Sequence, residues 1–131
     1  MKLLRVGEFG KEKPAALGKD GKIRDLSQHV LDLNPSTLNF ETLEKLQKLD
    51  LDTLPEVLSS TRIGSCIARP GKFLAIGLNY SDHAAETNAE IPKEPILFNK
   101  ASNCIVGPDD NIILPKLSKK LDWEVEIAFV V

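Results

Sequence analysis

The sequence predicts an α+β chain in two parts, a small β-rich N-terminal domain with one helix (residues 1–65) and a second β-rich region (66–131). Three observations carry this. Short strand-like runs separated by turn signals open the chain, a helical leucine spacing follows, and apolar runs punctuated by Pro and Gly return after residue 65. At 131 residues, 42% hydrophobic and 27% charged, the composition is that of an ordinary globular protein, and one domain plus a small appendage is the expectation from length.

In order, Lys2 to Val6 and Ala15 to Gly18 are the first strand-like runs, and the turn Lys19-Asp20-Gly21 joins the latter to Ile23 to Leu26 as a hairpin signal. In Asn39 to Leu49, Leu43, Leu46 and Leu49 stand three apart with charges between them, which predicts an amphipathic helix covering the small sheet. Leu54 to Leu58 is a further short segment, and Arg69-Pro70-Gly71 is a junction. Lys72 to Gly77 is nearly all apolar and predicts a buried strand. Ser81 to Glu86 predicts a helix of at most two turns, with Ser81 and Asp82 as cap candidates and an end near Asn88, since Pro92 and Pro95 forbid continuation. Ile96 to Phe98 and Ile112 to Leu114 are two more short strands, with the turn Gly107-Pro108-Asp109-Asp110 between them. The last run, Leu121 to Val131, becomes steadily more apolar without a closing turn, as if cut in mid-strand.

Seventeen Lys and Arg against nineteen Asp and Glu give a net charge of −2, which offers no overall basic surface to nucleic acid or anionic lipid. The opening residues are too short and too soon polar for a signal peptide, and no apolar run reaches the length of a membrane span, so a cytoplasmic protein is expected. Cys66 and Cys104 lack metal-site or redox spacing and read as two buried thiols. His29 reads as structural.

Two places carry candidate chemistry. On a helix, His83 and Glu86 share a face, where the carboxylate would orient the ring and raise its basicity; a solvated face gives the same spacing. On a strand, Glu124 and Glu126 point the same way, opposite Trp123, Val125 and Ile127, and could grip one hard cation. They would equally form the wet side of an amphipathic strand. Asp122 would join them, and three carboxylates in line repel unless a cation, a basic partner or water screens them. Oxygen donors favour Mg²⁺, Mn²⁺ or Ca²⁺ over softer metals.

In that order, Gly77-Leu78-Asn79-Tyr80-Ser81-Asp82-His83-Ala84-Ala85-Glu86, Pro95-Ile96-Leu97-Phe98-Asn99-Lys100, Gly107-Pro108 and Asp122-Trp123-Glu124-Val125-Glu126 resemble the fumarylacetoacetate hydrolase family. Leu4 to Gly7 and Gly21 to Ser27 further resemble its bacterial branch, often labelled ureidoglycolate lyase or diketo-deoxy-sugar-acid hydrolase. The likeness spans this chain but only about the first half of a typical member. It implies that residues 66–131 are the N-terminal portion of a mixed β-roll catalytic domain. It also implies that Glu124 and Glu126 are two of three carboxylate ligands to Mg²⁺ or Mn²⁺, the third lying beyond Val131. His83 with Glu86 would activate a water, and Tyr80 and Lys100 would line the pocket for a 2-oxo or diketo acid. Leu78 stands where many acylpyruvase-like members carry an arginine. The expected activity is hydrolytic carbon–carbon cleavage through a metal-held enolate in a homodimer, with ureidoglycolate lyase or 2-oxo acid decarboxylase chemistry as alternatives. A third alternative is a catalytically incomplete fragment that self-associates through its final strand.

Overall fold

Lys2–Val6 (β1) and Lys13–Leu17 (β2) pair antiparallel with Leu4 opposite Ala15, and Ile23–Asp25 (β3) adds to β2 with Ala16 opposite Arg24, giving a sheet of order β1-β2-β3. This computed structural model describes all residues, Met1–Val131. The β2–β3 turn follows from its residues. Gly21 takes φ +79, which favours glycine, and the Asp20 carboxylate accepts from the Lys22 N–H at 3.0 Å and pairs with Arg24 at 2.7 Å.

Phe40–Gln47 (α1) is the predicted amphipathic helix. The Asn39 side chain caps it by accepting from the Thr42 N–H at 2.9 Å, and Glu41 in the first turn pairs with Lys45. Leu46 is the α1 residue that enters the core, joining Ala16, Leu26, Val30 and Leu33, while Leu49 packs at its edge. The fifteen buried residues of the chain, apart from Ala84 and Gly107, all lie within residues 1–68. Ala68 is tied back by its N–H to the Leu33 carbonyl at 2.7 Å, so the first core closes on itself.

The second region is built differently. Phe73–Gly77 (β4) pairs antiparallel with Ile96–Lys100 (β5), Ala75 opposite Phe98, as a separate two-stranded sheet. Between them lies Ser81–Glu86 (α2), whose N-cap is Tyr80 without a side-chain bond; Ser81 and Asp82 are already helical. Its end is well made. Asn88 at φ +53 donates to the Ala85 carbonyl and Ala89 to the Ala84 carbonyl, a Schellman closure at a residue type that tolerates the left-handed region.

Four expectations are corrected. β4 is not a buried strand, because Leu74 and Ile76 are exposed on a sheet of only two strands with nothing packed on that side. Residues 112–114 and 121–131 form no strand: neither finds a neighbouring strand to make a backbone ladder with, so Trp123, Val125 and Ile127 face solvent rather than a core. Cys66 and Cys104 are both exposed, since neither lies on the one packed core. The predicted Ile96 to Phe98 strand runs on to Lys100. No helix is long and apolar enough to cross a membrane.

Candidate functional site

β4 delivers the chain to Leu78, which sits at φ +48, a left-handed conformation uncommon for a branched apolar residue. The turn it makes aims Asn79 and Tyr80 away from the strand and into the start of α2. Both then reach across to residues more than forty positions later. The Asn79 Nδ2 donates to Glu126 Oε2 at 2.9 Å, and the Tyr80 hydroxyl donates to the Val125 carbonyl. From the end of β5, Lys100 Nζ donates to Glu124 Oε2 at 3.0 Å. Its ammonium lies 5.9 Å from the Phe73 ring centre and 5.8 Å from that of Phe98, so two aromatic faces support its charge.

Thus the structure brings together Tyr80, Lys100, Glu124 and Glu126, with Asn79 as a fifth member that side-chain type alone did not single out. Asp122 does not join them; its carboxylate accepts from the Trp123 N–H. The carboxylates are therefore screened by Lys100 and Asn79, one each, and not by gathering round a common point. No group of three or more His, Cys, Asp or Glu side chains converges anywhere in the chain. As a donor set for a hard cation, Glu124 and Glu126 have the right oxygens, but they make up part of a shell only, and one oxygen of each is taken up by Lys100 and Asn79.

His83 and Glu86 both lie on exposed positions of α2, and no hydrogen bond joins the ring to the carboxylate. The His83 backbone is engaged instead, its N–H with Asp82 and its carbonyl with the Thr87 hydroxyl at 2.9 Å. An open cleft of 320 Å³ adjoins the cluster, lined by Ile76, Leu78, Asn79, Ile91 and Lys93 among others.

A second polar cluster, absent from the sequence reading, ties the Gly107–Asp110 turn to the first sheet. Arg62 grips Asp110 with two hydrogen bonds (2.6 and 2.5 Å) and also donates to Glu12 at 2.9 Å, while Glu12 lies 3.5 Å from Arg5, itself forked onto Asp32. Asp110 Oδ2 accepts from the Gly107 N–H at 2.7 Å. The Arg62 hydrogen bonds, then the Gly107 amide, hold the Asp110 carboxyl below its ordinary range. At Glu12 burial pushes the carboxyl up, but the Arg62 hydrogen bond and the charges of Arg5 and Arg62 outweigh it and leave it lowered. Asp110 stands 48 residues from Arg62, and nothing in local spacing signals such a pair.

Residues 72–131 match the sequence model described as fumarylacetoacetate (FAA) hydrolase, C-terminal. Over that stretch the chain is similar to this family. A protein of Burkholderia ambifaria (strain MC40-6), provisionally named a hydrolase, is 53% identical over 131 residues, all of this chain and 46% of that protein. A protein of Burkholderia multivorans (strain ATCC 17616 / 249) with a like name is also 53% identical over the same share. The chain spans about half the length of the curated relatives it matches. Among solved structures, one of a Mycobacterium smegmatis protein provisionally named HpcE is similar with a TM-score of 0.65 at 24% identity, over 86% of this chain and 40% of that one. That likeness shows the α+β fold.

Proposed function

We propose that this chain contributes the first half of a metal-dependent hydrolase or lyase that cleaves a carbon–carbon bond in a 2-oxo or diketo acid. In this reading residues 66–131 are part of a mixed β-roll, and Glu124 and Glu126 hold Mg²⁺ or Mn²⁺ together with oxygens from elsewhere. The observation that carries the reading is the convergence of Tyr80 and Lys100 on the Glu124–Glu126 segment from 45 and 24 residues away. Chemistry-bearing residues from two ends of one hairpin meet the paired carboxylates there.

When bound, such an ion supplies Lewis-acid polarisation of a 2-oxo group. The chain's own residues do the rest. Lys100 balances the substrate carboxylate, and the Tyr80 hydroxyl donates to a substrate carbonyl oxygen. His83, oriented by Glu86 once the helix is covered, takes a proton from water. The hydroxide adds to the carbonyl distant from the acid group, the adjoining carbon–carbon bond breaks toward the 2-oxo acid, and His83 returns the proton to the carbon released. The products are a carboxylic acid and a pyruvate-like acid.

The test is Mn²⁺ binding by titration calorimetry on this chain beside the Glu124→Ala, Glu126→Ala double variant, with acylpyruvate cleavage followed on the same samples. Binding that the double variant loses supports the reading. Equal binding by both, in folded samples, removes these glutamates from any metal site.

A further inference from the structure

An asparagine at a helix start is ordinarily a cap, its side chain accepting from an N–H of the first turn. Asn79 is not one. The N-cap of α2 is Tyr80, one residue later, and that end carries no side-chain cap bond. The Asn79 amide crosses 47 residues of chain instead, Nδ2 donating to Glu126 Oε2 at 2.9 Å. Beside it the Tyr80 hydroxyl holds the Val125 carbonyl, so two adjacent residues grip two adjacent residues, one by its backbone and the other by its carboxylate. The left-handed turn at Leu78, φ +48, sets both side chains toward that segment. Such a conformation is costly for a branched residue and persists where its surroundings demand it, which is most often at a functional site.

We infer that Asn79 is a positioning residue for Glu126: it occupies Oε2 and leaves Oε1 as the oxygen that a hard cation meets. This role rests on the proposed reading of Glu124 and Glu126 as metal ligands. The two carboxylates differ in what holds them. Lys100 donates to Glu124 Oε2 at 3.0 Å with a full positive charge, which an arriving cation repels. Asn79 is neutral, so its bond to Oε2 survives when Oε1 takes a cation, and the glutamate is already ordered rather than frozen out of many rotamers on binding. The neighbours therefore act with opposite sign: the lysine competes with the cation, and the asparagine prepares its ligand. Residue type fits this task. An aspartate of the same shape has no donor and repels Glu126, and a lysine there would compete as Lys100 does.

The experiment uses the full 131-residue chain with ¹³C-labelled glutamate and compares the parent with Asn79→Ala, Asn79→Asp and Asn79→Gln. Without metal, three-bond couplings report the side-chain torsions of Glu126. One rotamer should dominate in the parent and in Asn79→Gln, which keeps the donor, and the couplings should fall to averaged values in Asn79→Ala and Asn79→Asp, with Glu124 unchanged throughout. With Mn²⁺, calorimetry should show Asn79→Ala weakened about tenfold, the lower end of what hydrogen-bond partners of metal ligands contribute, and Asn79→Gln close to the parent. Asn79 is exposed, so no variant disturbs the core. Amide protection at Leu26 reports that the first core is folded, and protection at Ala84, whose N–H bonds the Tyr80 carbonyl, reports that α2 still forms. Averaged Glu126 couplings in the parent, or couplings that Asn79→Ala leaves unchanged, overturn the inference. So does tighter Mn²⁺ binding by Asn79→Asp than by the parent, which would make position 79 a ligand in its own right. A parent whose Glu126 is ordered by Asn79 but which binds no Mn²⁺ supports the positioning and overturns the metal reading instead, so the two failures are told apart.

Discussion

Replacing Leu26 with alanine tests whether the stability of this chain resides in its first 68 residues. Leu26 is 0% exposed and touches the cluster of Ala16, Val30, Leu33 and Leu46. Three carbons leave the core, worth about 2.4 kcal/mol at roughly 0.8 kcal/mol per buried methylene-sized group. The cavity left behind brings the loss to about 3–4 kcal/mol, within the measured span for Leu→Ala in rigid cores. A unit of this size holds roughly 3–10 kcal/mol in total at ordinary per-residue values, so the substitution removes a third of it or all of it. The midpoint of a thermal melt followed by far-UV circular dichroism should fall by more than about 10 °C, given several degrees per kcal/mol in a small domain. The companion substitution Ile127→Ala, on a side chain 81% exposed, should stay within about 0.5 kcal/mol of the parent. Equal shifts from the two changes, or a silent Leu26→Ala, would refute the assignment of the core to the first unit.

Acid should loosen the turn at Gly107 to Asp110 before it unfolds the first unit. Asp110 has a lowered carboxyl, so its stabilising effect is complete above its ordinary 3.8 and is lost as pH falls through the lower folded value; amide exchange at Gly107 should therefore accelerate below pH 3.8 and not between 5 and 7. Asn39→Ala removes the α1 cap and should cost about 1 kcal/mol in the same melts, with Asn39→Ser restoring most of it. Lys100→Ala should raise Mn²⁺ affinity a few-fold in calorimetry, because an ammonium 3.0 Å from Glu124 repels a cation there, the effect staying small at so open a site. Unchanged affinity would mean that Lys100 does not compete for that carboxylate.

Elements whose signals are local were legible in the sequence. β1, the Asp20-Gly21 turn, α1 with its leucines and the α2 span each depend on residues within a few positions, and each stands where its pattern put it. What failed depended on neighbours distant in the chain. An apolar run such as Lys72 to Gly77 or Leu121 to Val131 signals that burial is wanted, but burial needs a covering layer, and this chain provides one only over the first sheet. For the same reason the alternation of Glu124 and Glu126 with Trp123 and Val125 predicted a strand that finds no ladder. The hydrogen bonds of Asn79 and Lys100 to those glutamates, and of Arg62 to Asp110, join residues 24 to 48 apart, where spacing carries no signal.

Gly107 meets the first unit backbone to backbone: a Cβ on it would stand 2.2 Å from the Ile63 carbonyl oxygen and 3.1 Å from the Gly64 Cα. Alanine there would be the smallest change available, yet it would act as a wedge, because carbonyl and Cα atoms of a hydrogen-bonded segment cannot step aside as a side chain would. The Arg62 fork would then be asked to span a wider gap while Asp110 stayed fixed to its own turn. The seam between the two halves of this chain therefore has a hard stop of main-chain atoms on one side and a charged tether on the other, and it tolerates opening far better than crowding.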